Sequence, residues 1–185
     1  MNFQEYGATV TGELAKVFDR MNDASVQPLL DAIKAAKQIF VFGYGREGIS
    51  LRGFAMRLAH LGKTTHWAMD DTSTACQPGD LYITSCGGGG NDGLRLYAEK
   101  AKAAGAKIAL ITTQPSSPFT NVADVVTILP AYAYLSEADM VPTIQLMGNQ
   151  YEQALYILGD ILVMMLKDQL GLTPDDLEAR HRNIE

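Results

Sequence analysis

Two glycine-rich stretches in the 185-residue chain can bring backbone amides onto an anion. Gly43-Tyr44-Gly45-Arg46-Glu47-Gly48 follows an apolar run, opens a helical pattern and has the G-x-G-x-x-G spacing that lays N–H groups against a phosphate. Ser85-Cys86-Gly87-Gly88-Gly89-Gly90-Asn91-Asp92 again lies between a strand-like and a helix-like segment. Four consecutive glycines raise the entropy cost of folding without a packing return, so a backbone nest for an anion is the expected reason for them. Two such turns side by side suggest a cradle for a sugar or phosphosugar. Its candidate contacts are Gly45, Arg46, Glu47, Cys86, Gly87, Gly88, Gly89, Gly90 and Asn91. Cys86, near a helix start, reads as a nucleophile if its thiol pKa is depressed, but no base accompanies it, and a small filler in place of a hydroxyl is the favoured reading. Glu152 interrupts the apolar run NQYEQALYIL, where burial would raise its pKa and poise it to move a proton. His60, His66 and His181 are the chain's histidines. With Cys76 and Cys86 they show no zinc spacing, so no metal is expected. His66, beside Trp67, reads as a packed strand residue.

The elements that must position these groups follow from apolar periodicity. Residues 9–21 and 26–36 repeat at three and four, giving two leading helices within 1–36. IFVF, Thr64–Met69, LYITS, KIALIT and DVVTIL read as buried parallel strands, with helical segments between them over 37–130. Alternation of this kind predicts an α/β fold, a three-layer doubly wound five-stranded parallel sheet of flavodoxin-like order with ligands at the C-terminal strand edges. A loop at 131–141, one long helix at 142–170 and a charged, helix-capable tail at 171–185 complete a single domain. The wide apolar stripe of 142–170 and the two leading helices offer more apolar surface than one chain covers, which predicts a homotetramer built as a dimer of dimers. Asp70, about twenty residues beyond the first loop, stands where a dinucleotide-binding acid would meet a ribose. Against that reading, two helices precede the first strand, and no second dinucleotide-binding half or catalytic domain follows. No cofactor is expected.

Composition narrows the classes further. A net charge of −6 and a pI near 5.0 give no bulk positive field for a nucleic acid, and no helix-turn-helix segment accompanies the sheet. The longest apolar stretch, 154–166, is broken by Gly159 and Asp160 and is too short for a bilayer, so no membrane association is expected. The first residues show no basic region followed by an apolar run, and two cysteines are too few for a disulfide framework. A reducing, cytoplasmic location is the expectation.

VFGYGREG, GFAMRLAHLGK, PGDLYITSCGGGG, KAKAAGAKIALITTQPSSPFTNVADVVTILP and the closing RHRNIE together resemble the sugar isomerase (SIS) domain family, and within it the 6-phospho-3-hexuloisomerase branch. The resemblance runs over nearly the whole chain. It implies a metal-free and nucleotide-free aldose–ketose isomerase of sugar phosphates, commonly homotetrameric. It also implies Glu152 as the catalytic base, His60 as a second catalytic group and His181 as a tail histidine that reaches a neighbouring subunit's cleft. A non-catalytic protein that binds a sugar derivative is the alternative. Phosphate-binding members carry a serine at the position of Glu47, and hydroxyls where this chain has Cys86, Gly88 and Asn91. Glu47 then either points into the cleft, where it repels a phosphate, or caps its own helix.

Overall fold

Short runs of β-branched and large apolar residues form the centre of the molecule, because a strand covered by helices on both faces needs apolar side chains at every position. The computed structural model describes residues 1–184. Strands β1 (Ile39–Phe42), β2 (Thr65–Trp67), β3 (Leu81–Ser85), β4 (Lys107–Thr112) and β5 (Val125–Ile128) form one parallel sheet in the order β2-β1-β3-β4-β5. That is the doubly wound arrangement the alternation predicts. β1 and β3 are buried throughout, whereas the edge strand β2 is only half-buried.

Helices α1 (Phe3–Asp19), α2 (Asp23–Ala35), α3 (Gly45–His60) and α5 (Asn149–Gln169) share one core with the sheet, built on Leu29, Ile33, Val41, Leu51, Ile83 and Leu158. Helix α4 (Asp92–Ala103) helps cover the opposite face, where Phe40, Phe42, Tyr82 and Phe119 pack. A short α6 (Pro174–Glu178) ends the described chain and brings the tail against α3. Asn2 and Asn22 start α1 and α2 with reciprocal capping boxes, so the first helix begins at residue 3 rather than 9.

The long helix begins at Asn149, not at 142. The reason lies in α1. The Glu13 carboxylate accepts hydrogen bonds from the Thr143 hydroxyl, the Ile144 amide and the Gln145 side chain at 2.5, 2.9 and 3.2 Å, which ties 143–145 to α1 in a non-helical course. Met147 and Gly148 then turn through positive φ into the helix. The G-x-G-x-x-G spacing also has a packing cause here. A Cβ on Gly48 would meet the Gly43 carbonyl oxygen at 2.3 Å, so only glycine lets α3 lie this close to the end of β1.

Candidate functional site

The ends of β1 and β3 and the start of α5 converge at the C-terminal edge of the sheet. α3 and α5 pack along their length, and the Ser50 hydroxyl donates to the Glu152 carbonyl at 2.9 Å, fixing the first turn of α5 against α3. That register puts the Glu152 carboxylate 2.5 Å from Arg46 Nε. The pair borders a cavity of about 320 Å³ lined by Arg46, Ile49, Ser50, Glu152, Gln153 and Tyr156. Glu152 is 18% exposed and ion-paired, so it is not the carboxyl sealed in an apolar run that its sequence context predicts.

Glu47 does not cap its own helix, and α3 has no side-chain cap. The Glu47 side chain reaches across to the second glycine loop, where the Gly87 amide donates to both carboxyl oxygens at 3.2 and 3.3 Å and Ser85 Oγ lies 2.5 Å from Oε2. Ser85 Oγ is also 2.9 Å from Tyr151 Oη, and the Tyr151 hydroxyl donates to the Ile111 carbonyl at 3.0 Å. Burial is the largest influence on Glu47 and raises its pKa. Ser85 and the Gly87 amide oppose that rise, and the Glu152 charge adds to it, leaving the group above the ordinary carboxylate value. Burial likewise pushes the Tyr151 hydroxyl well up, with the Glu47 charge adding to the effect.

The glycine run is not an open nest. Its Gly87 amide goes to Glu47, the Gly89 amide donates to the Cys86 carbonyl at 3.0 Å, and the amides of Gly89, Gly90 and Asn91 turn toward the Cys86 sulfur. Three of the four glycines, Gly87 to Gly89, do have a packing return, contrary to the expectation from sequence, while Gly90 faces open space. A Cβ on Gly87 would sit 2.7 Å from the Ala133 Cβ and 3.1 Å from the Tyr151 ring. Cys86 is buried, and that burial raises its thiol pKa despite the amides around it, which places it with the small fillers rather than the nucleophiles. Asn91 caps α4 by accepting from the Leu94 amide at 2.9 Å.

His60 and His181 meet each other, with ring centroids 5.2 Å apart, beside Arg57 and Leu177 in a cavity of about 570 Å³. They do not meet Glu152. His60 ends α3 while Arg46 begins it, and the fourteen intervening steps at 1.5 Å per residue put the two about 21 Å apart in one chain. His66 is the packed strand residue expected, stacked on Phe40 and 2.9 Å from Gln38. Asp70 is spent on its own turn, accepting from the amide and hydroxyl of Thr72, and Arg52 lies 4.0 Å over the Trp67 ring. Among the described residues, no three His, Cys, Asp or Glu side chains cluster at metal-binding spacing, and no helix is long and apolar enough to cross a membrane.

Residues 32–153 match the family model described as SIS domain. The chain belongs to the SIS domain family. Among its relatives, a 3-hexulose-6-phosphate isomerase of Mycobacterium gastri is 37% identical over 97% of this chain and 93% of its own length. A Bacillus subtilis protein of the same name is 31% identical over the full length of both. A solved Methanococcus jannaschii structure, whose inferred molecular function is 3-hexulose-6-phosphate isomerase, superposes with a TM-score of 0.82 at 27% identity, covering 98% of this chain and 99% of that one. For a SIS domain, then, the carboxyl groups of Glu47 and Glu152, the Arg46 guanidinium and the Gly87 loop form one constellation. Tyr151 is the member that the sequence reading missed, and Ser85 stood in the second glycine-rich stretch without being given a role. The adjacency of Tyr151 to Glu152 was its signal.

Proposed function

We propose that the protein is an isomerase of a hexulose phosphate that moves a carbonyl to the neighbouring carbon through an enediolate. The reading is supported most by one observation: Glu152 stands on a rigid helix start, ion-paired to Arg46, at the strand edges where the two glycine loops converge. Full-length relatives named 3-hexulose-6-phosphate isomerase point to the same substrate. With such a substrate the carbonyl begins at C3, so the shift joins two ketoses by the same proton chemistry that joins an aldose and a ketose.

In this mechanism Glu152 takes the proton from C2, beside the carbonyl, and returns it to C3, which held the carbonyl, while the C2 hydroxyl gives up its proton and the C3 oxygen gains one by exchange with solvent. Arg46 serves as the positive partner of the enediolate oxygen that forms in between. Gly45 and the loop 86–91 position the sugar. His181, which one chain keeps at the far end of α3, reaches the cleft of a neighbouring copy within a homotetramer, and His60, buried against it, is the second catalytic group. The exposed apolar side chains Ile49, Met56, Tyr156, Ile157 and Met164 on α3 and α5 supply the contact surface for such an assembly. The chain is read as one unit and its location as cytoplasmic. NMR of 3-hexulose 6-phosphate incubated with the protein should show the carbonyl moving from C3 to C2 at a rate proportional to protein. The Glu47 carboxyl on the Gly87 amide favours a second reading, a binding protein that has lost turnover. Ligand-induced rises in Tm without any conversion across a panel of sugar phosphates would establish that reading instead.

A further inference from the structure

The row of oxygens from Glu47 to Ile111 fixes where its protons are. Ile111 O is a carbonyl and can only accept, so the hydrogen in its 3.0 Å contact with Tyr151 comes from the Tyr151 hydroxyl, beside the Cys86 amide that the same oxygen receives at 3.0 Å. Tyr151 Oη, 2.9 Å from Ser85, can then only accept, and Ser85 has one proton for two contacts, this one and the 2.5 Å one with Glu47 Oε2. One of the two is left without a hydrogen unless the carboxyl supplies one. Three contacts need three protons, and the two hydroxyls carry two. An ionised Glu47 would force two oxygen lone pairs together in a buried place, a cost of the kind that unsatisfied buried polar groups carry.

We propose that Glu47 is a carboxylic acid rather than a carboxylate in the folded protein, and that this neutral group is what admits an anionic sugar to the cleft. The second half rests on the reading of the protein as a sugar phosphate isomerase. Protonated, Glu47 keeps the Gly87 amide occupied without adding negative charge, and Arg46, paired with Glu152, faces an incoming phosphate across a neutral neighbour. Ionised, it would stand as a second carboxylate beside Glu152 and repel the same phosphate. The titratable or charged groups around it are Tyr151 and Glu152 on α5, Cys86 on the second loop, and Arg46 on its own helix. Burial raises the proton affinity of Glu47, as the geometry requires. Glu47 thus occupies the place of a hydroxyl while remaining, like a hydroxyl, an uncharged donor, and it adds a pH limit that a hydroxyl lacks. Coupling is reciprocal, so a bound anion strengthens the hold of Glu47 on its proton by the factor that ionisation weakens the anion.

Infrared difference spectra between the protein labelled with carboxyl-13C glutamate and its Glu47→Gln variant test the first half without any substrate. At pH 6 the wild-type protein should show the carbonyl stretch of a protonated carboxyl that the variant lacks. Only the ionised-carboxylate band at that pH overturns the proposal. Tyr151→Phe provides a second handle, because it frees the Ser85 proton to turn toward Glu47. The protonated band should then vanish at a lower pH than in the wild-type protein, and an unchanged titration contradicts the assigned row. Sulfate stays dianionic across the range and probes the second half by calorimetry. Wild-type affinity should fall about tenfold or more as pH rises through the Glu47 titration followed by infrared, while Glu47→Gln shows no such fall. An equal fall in both proteins, or no sulfate binding while Glu47 is protonated, overturns the link to the anion. Failure to convert 3-hexulose 6-phosphate would leave the infrared result standing and remove only the isomerase reading.

Discussion

The two ends of helix α3 are built on different principles. At its N-terminal end, Arg46 and Glu47 are held by groups far apart in sequence: Ser85, Gly87, Tyr151 and Glu152 converge there through short contacts anchored on two strands and a long helix. At its C-terminal end, His60 meets a tail that follows the five-residue α6, and exposed His181 lies against it. The contrast separates a site that the fold pre-organises from one that depends on a segment with few buried contacts. It also divides the proposed chemistry. The proposed base and its cationic partner belong to one end, and the proposed role of His181 in a neighbouring copy belongs to the other.

Substitutions can sharpen that division. The largest effect is expected from Glu152→Gln, which removes the base while keeping shape and should lower kcat by about 10²- to 10⁴-fold. Steady-state assays with 3-hexulose 6-phosphate measure this, and Tm should change little because only an ion pair at the cleft rim is lost. Tyr151→Phe should cost about 1–3 kcal/mol of stability in urea unfolding, since it removes the hydroxyl that bridges the buried Ile111 carbonyl and the Ser85 hydroxyl. His181→Ala should leave unfolding within about 0.5 kcal/mol of wild type while reducing turnover. If the protein sediments as a monomer at micromolar concentration, the role of His181 in a neighbouring cleft is lost.

A smaller effect separates the ends by pH. The folded-state pKa of Glu47 is raised, mainly by burial, so its contribution to stability is fully present below the ordinary carboxylate range and is lost as pH rises through the raised value. Glu13 has the opposite sign. Burial would raise it, but the hydrogen bonds from Thr143, Ile144 and Gln145 outweigh that and hold it low, so its contribution is present above the ordinary value and is lost on acidification. Glu47→Gln should therefore flatten the alkaline side of a Tm-against-pH curve, and Glu13→Gln the acid side. The reverse pattern would mean that the two carboxyls have been assigned the wrong protonation.

Much of the sheet was legible because buried parallel strands such as IFVF and KIALIT are continuous apolar runs bounded by turns, and both lie where the pattern puts them. The start of α5 was not. Residues 142–148 carry helical periodicity, but the Glu13 carboxylate, about 130 positions earlier, overrides it. The same limit applies to Glu47, whose partners lie 38 and 40 residues away, so its types and spacing could suggest an anion problem but not its solution. Glycine content misled in a different way. The run after Ser85 read as a ligand nest, whereas at Gly87 the close approach of Ala133 and Tyr151, from segments distant in sequence, demands the missing side chain.

Deuterium wash-in is the most direct test of catalysis at the N-terminal end of α3. Hexulose phosphate equilibrated in D₂O with wild-type protein should gain deuterium at the carbons that exchange the carbonyl, and with His181→Ala it should gain it more slowly. With Glu152→Gln it should gain none above the uncatalysed rate. Incorporation by Glu152→Gln at the wild-type rate would contradict the assignment of the base and with it the proposed mechanism.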